Sequence, residues 1–214
     1  MMAFDHDSRS IARRYDKLAH VYGAVCASFL LRPRLRREAV RRLDLPSGGT
    51  VLEVGCGTGS NLKHLLRQVG PGGHVIGIDV SPGMLARARR LCDRRGWGNV
   101  SLVEQDFGGP SAHKPVDAVL FSLTYSVLPE QRSALSKAWD LLAQDGTLVI
   151  MDAGLPEGWM GRLLRPTTVA LSRATVLGNP DSRPWEDLAA LGADVEVDRF
   201  QLGTYYICRA RKDT

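Results

Sequence analysis

The sequence predicts an open, doubly wound α/β sheet, and three observations lead there. A short β-branched run, Val51-Leu52-Glu53-Val54, breaks into Gly55-Cys56-Gly57-Thr58-Gly59, and a helical pattern then runs through Asn61, Leu62, Leu65, Leu66 and Val69. A second apolar run, His74 to Ile78, ends in Asp79, 20 residues past Gly59, where such a fold sets a carboxylate against ribose hydroxyls. Further apolar runs from Val100, Val116 and Thr147 alternate with helical patterns, the rhythm of a parallel sheet.

Ahead of the sheet, residues 9–43 read as helix, with Ile11, Tyr15, Leu18, Ala19 and Tyr22 at helical spacing. After Pro33, the apolar stripe Leu31, Leu35, Ala39, Leu43 opposes Arg34, Arg37 and Arg41. A helix of this kind either lies on an anionic membrane or packs on the core with a solvated arginine face. Residues 1–45 are therefore read as a helical cover, and residues 46–214 as one globular unit.

The glycine turn builds a pocket from bare backbone. Glycine adopts positive φ and has no Cβ, so a ligand can lie against the main chain. The helix that follows directs its N–H groups and positive dipole end at the same spot. Spacing narrows the ligand. The dinucleotide pattern G-x-G-x-x-G fails because Ser60 stands at the sixth position, and no Lys-Ser or Lys-Thr completes a phosphate loop.

Beyond Asp79, Ser81-Pro82 supply an N-cap and first position for a helix to about Arg95. A third strand, Val100 to Glu104, runs into Gln105-Asp106-Phe107. There an acid can accept from an adenine amine while the ring packs on the purine. The fourth strand, Val116 to Phe121, leads to Ser122-Leu123-Thr124-Tyr125-Ser126, which should face the ligand's reacting end. A helix from Pro129 to Leu142, a turn at Asp145-Gly146 and a strand from Thr147 to Met151 follow. Residues 152–180 read as the least regular stretch, apolar with Arg162, Arg165 and Arg173 interleaved. A short helix to Leu191 precedes an antiparallel pair, Ala193 to Phe200 and Thr204 to Ala210.

The 214 residues suit a single domain, and a net charge of +5 permits attraction to phosphates without requiring it. Four cysteines (Cys26, Cys56, Cys92, Cys208) form no zinc spacing and read as free thiols of a cytoplasmic protein. Asp5 and Asp7 stand where a signal peptide needs basic residues.

Glu53-x-Gly55-x-Gly57-x-Gly59, Asp79, Asp106-Phe107 and the strand entry at Leu142 to Ile150, taken in order, resemble class I S-adenosylmethionine-dependent methyltransferases. Within that superfamily, the opening Tyr15-Asp16-Lys17-Leu18-Ala19-His20-Val21-Tyr22 is similar to the ubiquinone/menaquinone C-methyltransferase and bacterial phospholipid N-methyltransferase group, departing from it at Gly23. The resemblance implies a Rossmann-like seven-stranded sheet, six strands parallel and one antiparallel, with helices on both faces. It implies S-adenosylmethionine as cofactor and no metal. It carries cofactor contact onto Glu53, Gly55, Cys56, Gly57, Gly59 and Asn61 of the turn. Beyond the turn it carries contact onto Asp79, Val80, Met84, Asp106, Phe107 and Ser122.

For catalysis, the chemistry asks for alignment, water exclusion and, for some acceptors, proton removal. Tyr15, Tyr22 and Tyr125 are candidates for lining the methyl channel, or else core residues. His20 and His113 are bases or surface histidines. Enzymes that methylate nucleobase amines place N/D-P-P-Y/F where this chain has Ser122-Leu123-Thr124-Tyr125, which weighs against that substrate. Apolar cover segments with interspersed arginines suit a hydrophobic or amphipathic acceptor. A phospholipid amine headgroup is the first expectation, with a peripheral contact to anionic membrane. The alternative is a quinone precursor or secondary metabolite. RNA methylation and non-catalytic cofactor binding stay behind both.

Overall fold

The computed structural model describes residues 33–107, 115–156, 158–174 and 178–213. Tyr15, Tyr22, His20, His113, Cys26 and the helical pattern of residues 9–31 lie outside these described residues.

Seven strands form one sheet: β1 (Thr50–Val54), β2 (His74–Asp79), β3 (Val100–Glu104), β4 (Val116–Ser122), β5 (Leu142–Ala153), β6 (Val195–Phe200) and β7 (Tyr205–Arg211). Their order is β3-β2-β1-β4-β5-β7-β6. Only β7 runs antiparallel to its neighbours, β5 and β6. The sheet thus has the expected six parallel strands and one antiparallel. Strand order reverses between β1 and β4, and ligands of open α/β sheets bind at such a switch point.

The central strands are continuous apolar runs because both of their faces are covered. On one face Leu52, Val54, Phe121 and Ile150 pack with Ala134, Leu135 and Ala138 of α4 (Gln131–Leu141) and Leu188 of α6 (Pro184–Ala190). On the other face Val51, Val75, Leu120 and Val149 pack with α1 (Pro33–Arg41), α2 (Leu62–Val69) and Cys92 of α3 (Pro82–Arg95).

Helix α1 resolves one of the two readings of the arginine stripe. Leu35, Ala39 and Val40 of the helix, and Leu43 just after it, are 6%, 1%, 2% and 1% exposed, buried against the sheet. The apolar face therefore serves the core and is not free for a membrane, while Arg34, Arg37 and Arg41 point to solvent. Arg41 and Arg42 both engage Glu38, and hydrogen bonds from these guanidiniums, Arg41's foremost, bring its carboxyl down to about 2.

Several boundaries move. Residues 125–127 form a 3-10 turn and Leu128 is extended, so α4 starts at Gln131 and not at Pro129. Strand β5 starts at Leu142, ahead of the expected turn, because Leu142 already pairs with Val116; the register then jumps, and Ala118 faces Thr147. The stretch expected to be irregular carries a 17-residue helix, α5 (Gly158–Ala174), with Pro166 inside it. The Ser81 cap forms as expected, its hydroxyl accepting from the Met84 N–H at 3.1 Å.

Candidate active site

The cleft opens at the carboxyl ends of β1, β2 and β4, with about 840 Å³ of space that is partly open to solvent. Its first wall is the turn after β1. Gly55 N–H and Cys56 N–H both donate to the Ile78 carbonyl, at 2.8 and 3.0 Å, which folds the turn back over β2. Gly55 (φ 69°) and Gly57 (φ 55°) sit in the left-handed region that disfavours side chains. A Cβ on Gly55 would lie 2.4 Å from the Thr124 side chain, so the turn and the loop after β4 touch.

The carboxylate of Asp79 stands at the end of β2. One oxygen accepts from Gly57 N–H at 2.8 Å and the other from Ser81 N–H at 2.9 Å. Backbone amides thus fix the position of the acid in the cleft. Val80 and Met84 extend the wall behind it, and Gln105, Asp106 and Phe107 close that end. The Phe107 ring is buried, edge-on to Phe121 at 6.1 Å, and Lys137 caps it from outside.

At the other end lies a chain of polar side chains. Asn61 Nδ2 donates to Glu53 Oε1 at 2.6 Å. Arg36, from α1, donates to Asn61 Oδ1 at 3.4 Å and to the Ser122 hydroxyl at 3.2 Å. Glu53 is 1% exposed, and its Oε2 has no hydrogen-bond partner among the described residues. Burial pushes its carboxyl up to about 7, against the pull of Asn61 and the Arg36 charge. A buried acceptor left unmade in a cleft that also holds a guanidinium is a site waiting for a cationic donor.

Leu123, Thr124, Val127, Leu128 and Pro129 form the remaining, mostly apolar wall. Asp152 holds this loop from below: it accepts from Ser126 N–H at 2.9 Å and from the Ser126 hydroxyl at 3.0 Å.

The structure thus brings together Glu53, Gly55, Cys56, Gly57, Asn61, Asp79, Val80, Met84, Asp106, Phe107 and Ser122 around one cleft. Gly59 is not among the lining residues; a Cβ there would meet Leu62 at 2.7 Å, so its lack of a side chain serves the packing of α2 on the turn. Tyr125 does not reach the cleft either. It is fully buried, and its hydroxyl donates to Asp187 Oδ2 at 2.8 Å. The chief residue that the sequence reading missed is Arg36. It sits between the buried and the solvated edges of α1, and periodicity assigned the helix's arginines to solvent.

Known proteins agree with this architecture. Residues 51–146 match the family described as a methyltransferase domain. The chain is 30% identical over 141 residues to the aklanonic acid methyltransferase DauC of Streptomyces sp. (strain C5), covering 65% of this chain and 63% of that one. It is 33% identical over 135 residues to the nocamycin O-methyltransferase of Saccharothrix syringae, covering 63% and 48%. It is 28% identical over 167 residues to the demethylmenaquinone methyltransferase of Tropheryma whipplei (strain Twist), covering 77% and 68%. The chain spans less than two thirds of the first two relatives' length. Among solved structures, the cyclase SpnF superposes with a TM-score of 0.79 at 18% identity, over 97% of this chain and 96% of that one. An S-adenosylmethionine-dependent methyltransferase from Aquifex aeolicus superposes with a TM-score of 0.64 at 23% identity, over 97% and 99%.

Proposed function

We propose that this chain, whose residues 51–146 match a methyltransferase domain, is a class I S-adenosylmethionine-dependent enzyme that methylates a small hydrophobic acceptor of the quinone or polyketide kind. One observation carries the cofactor half. Arg36 and the orphaned Glu53 carboxyl, which a ligand ammonium would ionise, face the same end of the cleft, and together they match an α-amino acid zwitterion. Asp79, fixed by two backbone amides, accepts from a ribose diol; Asp106 and Phe107 bound the adenine. When bound, S-adenosylmethionine supplies an activated methyl group on a sulfonium.

The acceptor's nucleophilic atom forms a bond to that methyl carbon as the carbon–sulfur bond breaks, and the acceptor loses a proton. The residues of this chain contribute alignment and a dry wall. Among the described residues that wall is Leu123, Val127, Leu128 and Pro129, and an apolar wall favours an apolar acceptor over the phospholipid amine expected from sequence. Quinols and enolised polyketides suit it better, because their O–H groups ionise with little help. The relatives named for aklanonic acid and demethylmenaquinone support the same choice. Fold alone does not decide activity, as the cyclase of the same fold illustrates.

The test is methyl transfer from labelled S-adenosylmethionine to three acceptors: a prenylated naphthoquinol, an anthraquinone-type polyketide acid and phosphatidylethanolamine vesicles. Transfer to either of the first two is the expected result. Transfer to the phospholipid alone would reverse the acceptor assignment.

A further inference from the structure

We propose that the outward face of α5 is a docking surface for an anionic phospholipid bilayer. The inference does not depend on which acceptor is methylated. Gly161 is the buried residue of the helix's first turns; a Cβ on it would meet the Pro156 carbonyl at 1.9 Å, so this side is pressed onto the chain that leads into the helix. Positions two residues away lie on the opposite side of a helix. Trp159 and Leu163 stand there, 70% and 68% exposed, while Leu164, farther round toward the Gly161 side, is 45% exposed. The other large exposed apolar side chains among the described residues, Leu191, Val197 and Leu202, are scattered over other elements. Scattered ones need no explanation, whereas a tryptophan and a leucine about one turn apart on one face mark a contact surface.

Charge identifies the occupant. The helix sequence GWMGRLLRPTTVALSRA contains three arginines and no acidic residue. Arg165 is tied to Asp181 at 2.7 and 3.0 Å, which anchors the helix to the body, and Arg162 is exposed beside the apolar face. Tryptophan and leucine flanked by arginine is the composition of a helix that lies in the headgroup region of an anionic membrane. A second copy fits less well. A twofold pairing of this face would set arginine against arginine, with no acid on the helix to relieve them.

The experiment uses the full chain and vesicles of phosphatidylcholine with phosphatidylglycerol, or of phosphatidylcholine alone. Flotation and tryptophan fluorescence report binding, and calorimetry with S-adenosylhomocysteine reports the cleft. The expected result is co-flotation with the anionic vesicles and a blue shift, both weakening as salt shortens the screening length from about 10 Å at 0.1 M to about 3 Å at 1 M. The variants Trp159→Ser/Leu163→Ser and Arg162→Glu should each lower vesicle affinity by about tenfold or more and leave homocysteine-product affinity unchanged. Absence of flotation with either vesicle, equal flotation with both, or binding that survives Trp159→Ser/Leu163→Ser would each overturn the proposal. So would a concentration-dependent dimer that the same double variant dissolves, because a second copy would then be the occupant.

Discussion

The guanidinium of Arg36 donates to the Ser122 hydroxyl at 3.2 Å, so α1 and the end of β4 meet above the cleft. A cation held there by two weak, lateral hydrogen bonds is available to a carboxylate entering between Ser122 and Asn61. Arg36→Gln should weaken S-adenosylhomocysteine binding by about 10- to 100-fold, the worth of a charged hydrogen bond of about 1.5–3 kcal/mol. Calorimetric titration measures it. An unchanged affinity would place the carboxyl elsewhere.

Asp79 has two tasks, and two variants separate them. Asp79→Asn keeps the size of the side chain but accepts from only one of the two amides, so it should lose about tenfold in cofactor affinity and part of the turn's stability. Asp79→Ala orphans both Gly57 N–H and Ser81 N–H, so it should lower the melting temperature further, as well as the affinity. Equal melting temperatures for the two variants would remove the positioning role.

Glu53 ties cofactor affinity to pH. Its folded-state value of about 7 lies above the ordinary 4.5. The folded, ligand-free protein therefore holds a proton that the unfolded chain releases. That stabilising contribution is complete below 4.5 and is lost as pH rises through 7. A ligand ammonium reverses the preference by favouring the ionised acid. Affinity for S-adenosylhomocysteine should rise by about an order of magnitude between pH 5.5 and 7.5, and Glu53→Gln should flatten both the affinity and the stability profile. Calorimetry and thermal melts across that range check both.

Tyr125→Phe removes only the donor to Asp187, with the ring still packed edge-on to Phe121 at 5.9 Å. A stability loss of about 1 kcal/mol with unchanged cofactor affinity is expected. A selective fall in turnover at constant stability would return the phenol to a role in the methyl channel.

Much of this was legible in the chain itself, for identifiable reasons. Parallel strands buried on both faces read as unbroken apolar runs, so β1, β2 and β4 stand out, and their carboxyl ends locate the cleft. Asp79 was recoverable because its distance from Gly59 is set by one helix and one strand. Arg36 was not, because its direction depends on how α1 rotates onto the sheet, and a helical stripe fixes that only to within a residue. Helix α5 was hidden by Pro166 and by glycines at 158 and 161, which local propensity counts against helix. Gly59 resembled its neighbours in sequence; only the packing of Leu62 separates it from the two glycines that line the cleft.

The contact between Gly55 and Thr124 limits how this protein can change. The glycine turn and the loop after β4 meet there, so any bulkier residue at 55, or a displaced backbone at 124, disturbs both sides of the cleft at once. Leu128 and Pro129 line the cleft as well, and neither is among the atoms that a Cβ at Gly55 would meet. Diversification toward new acceptors therefore has room at 127–129, and libraries built there should preserve donor binding where libraries at 124 lose it.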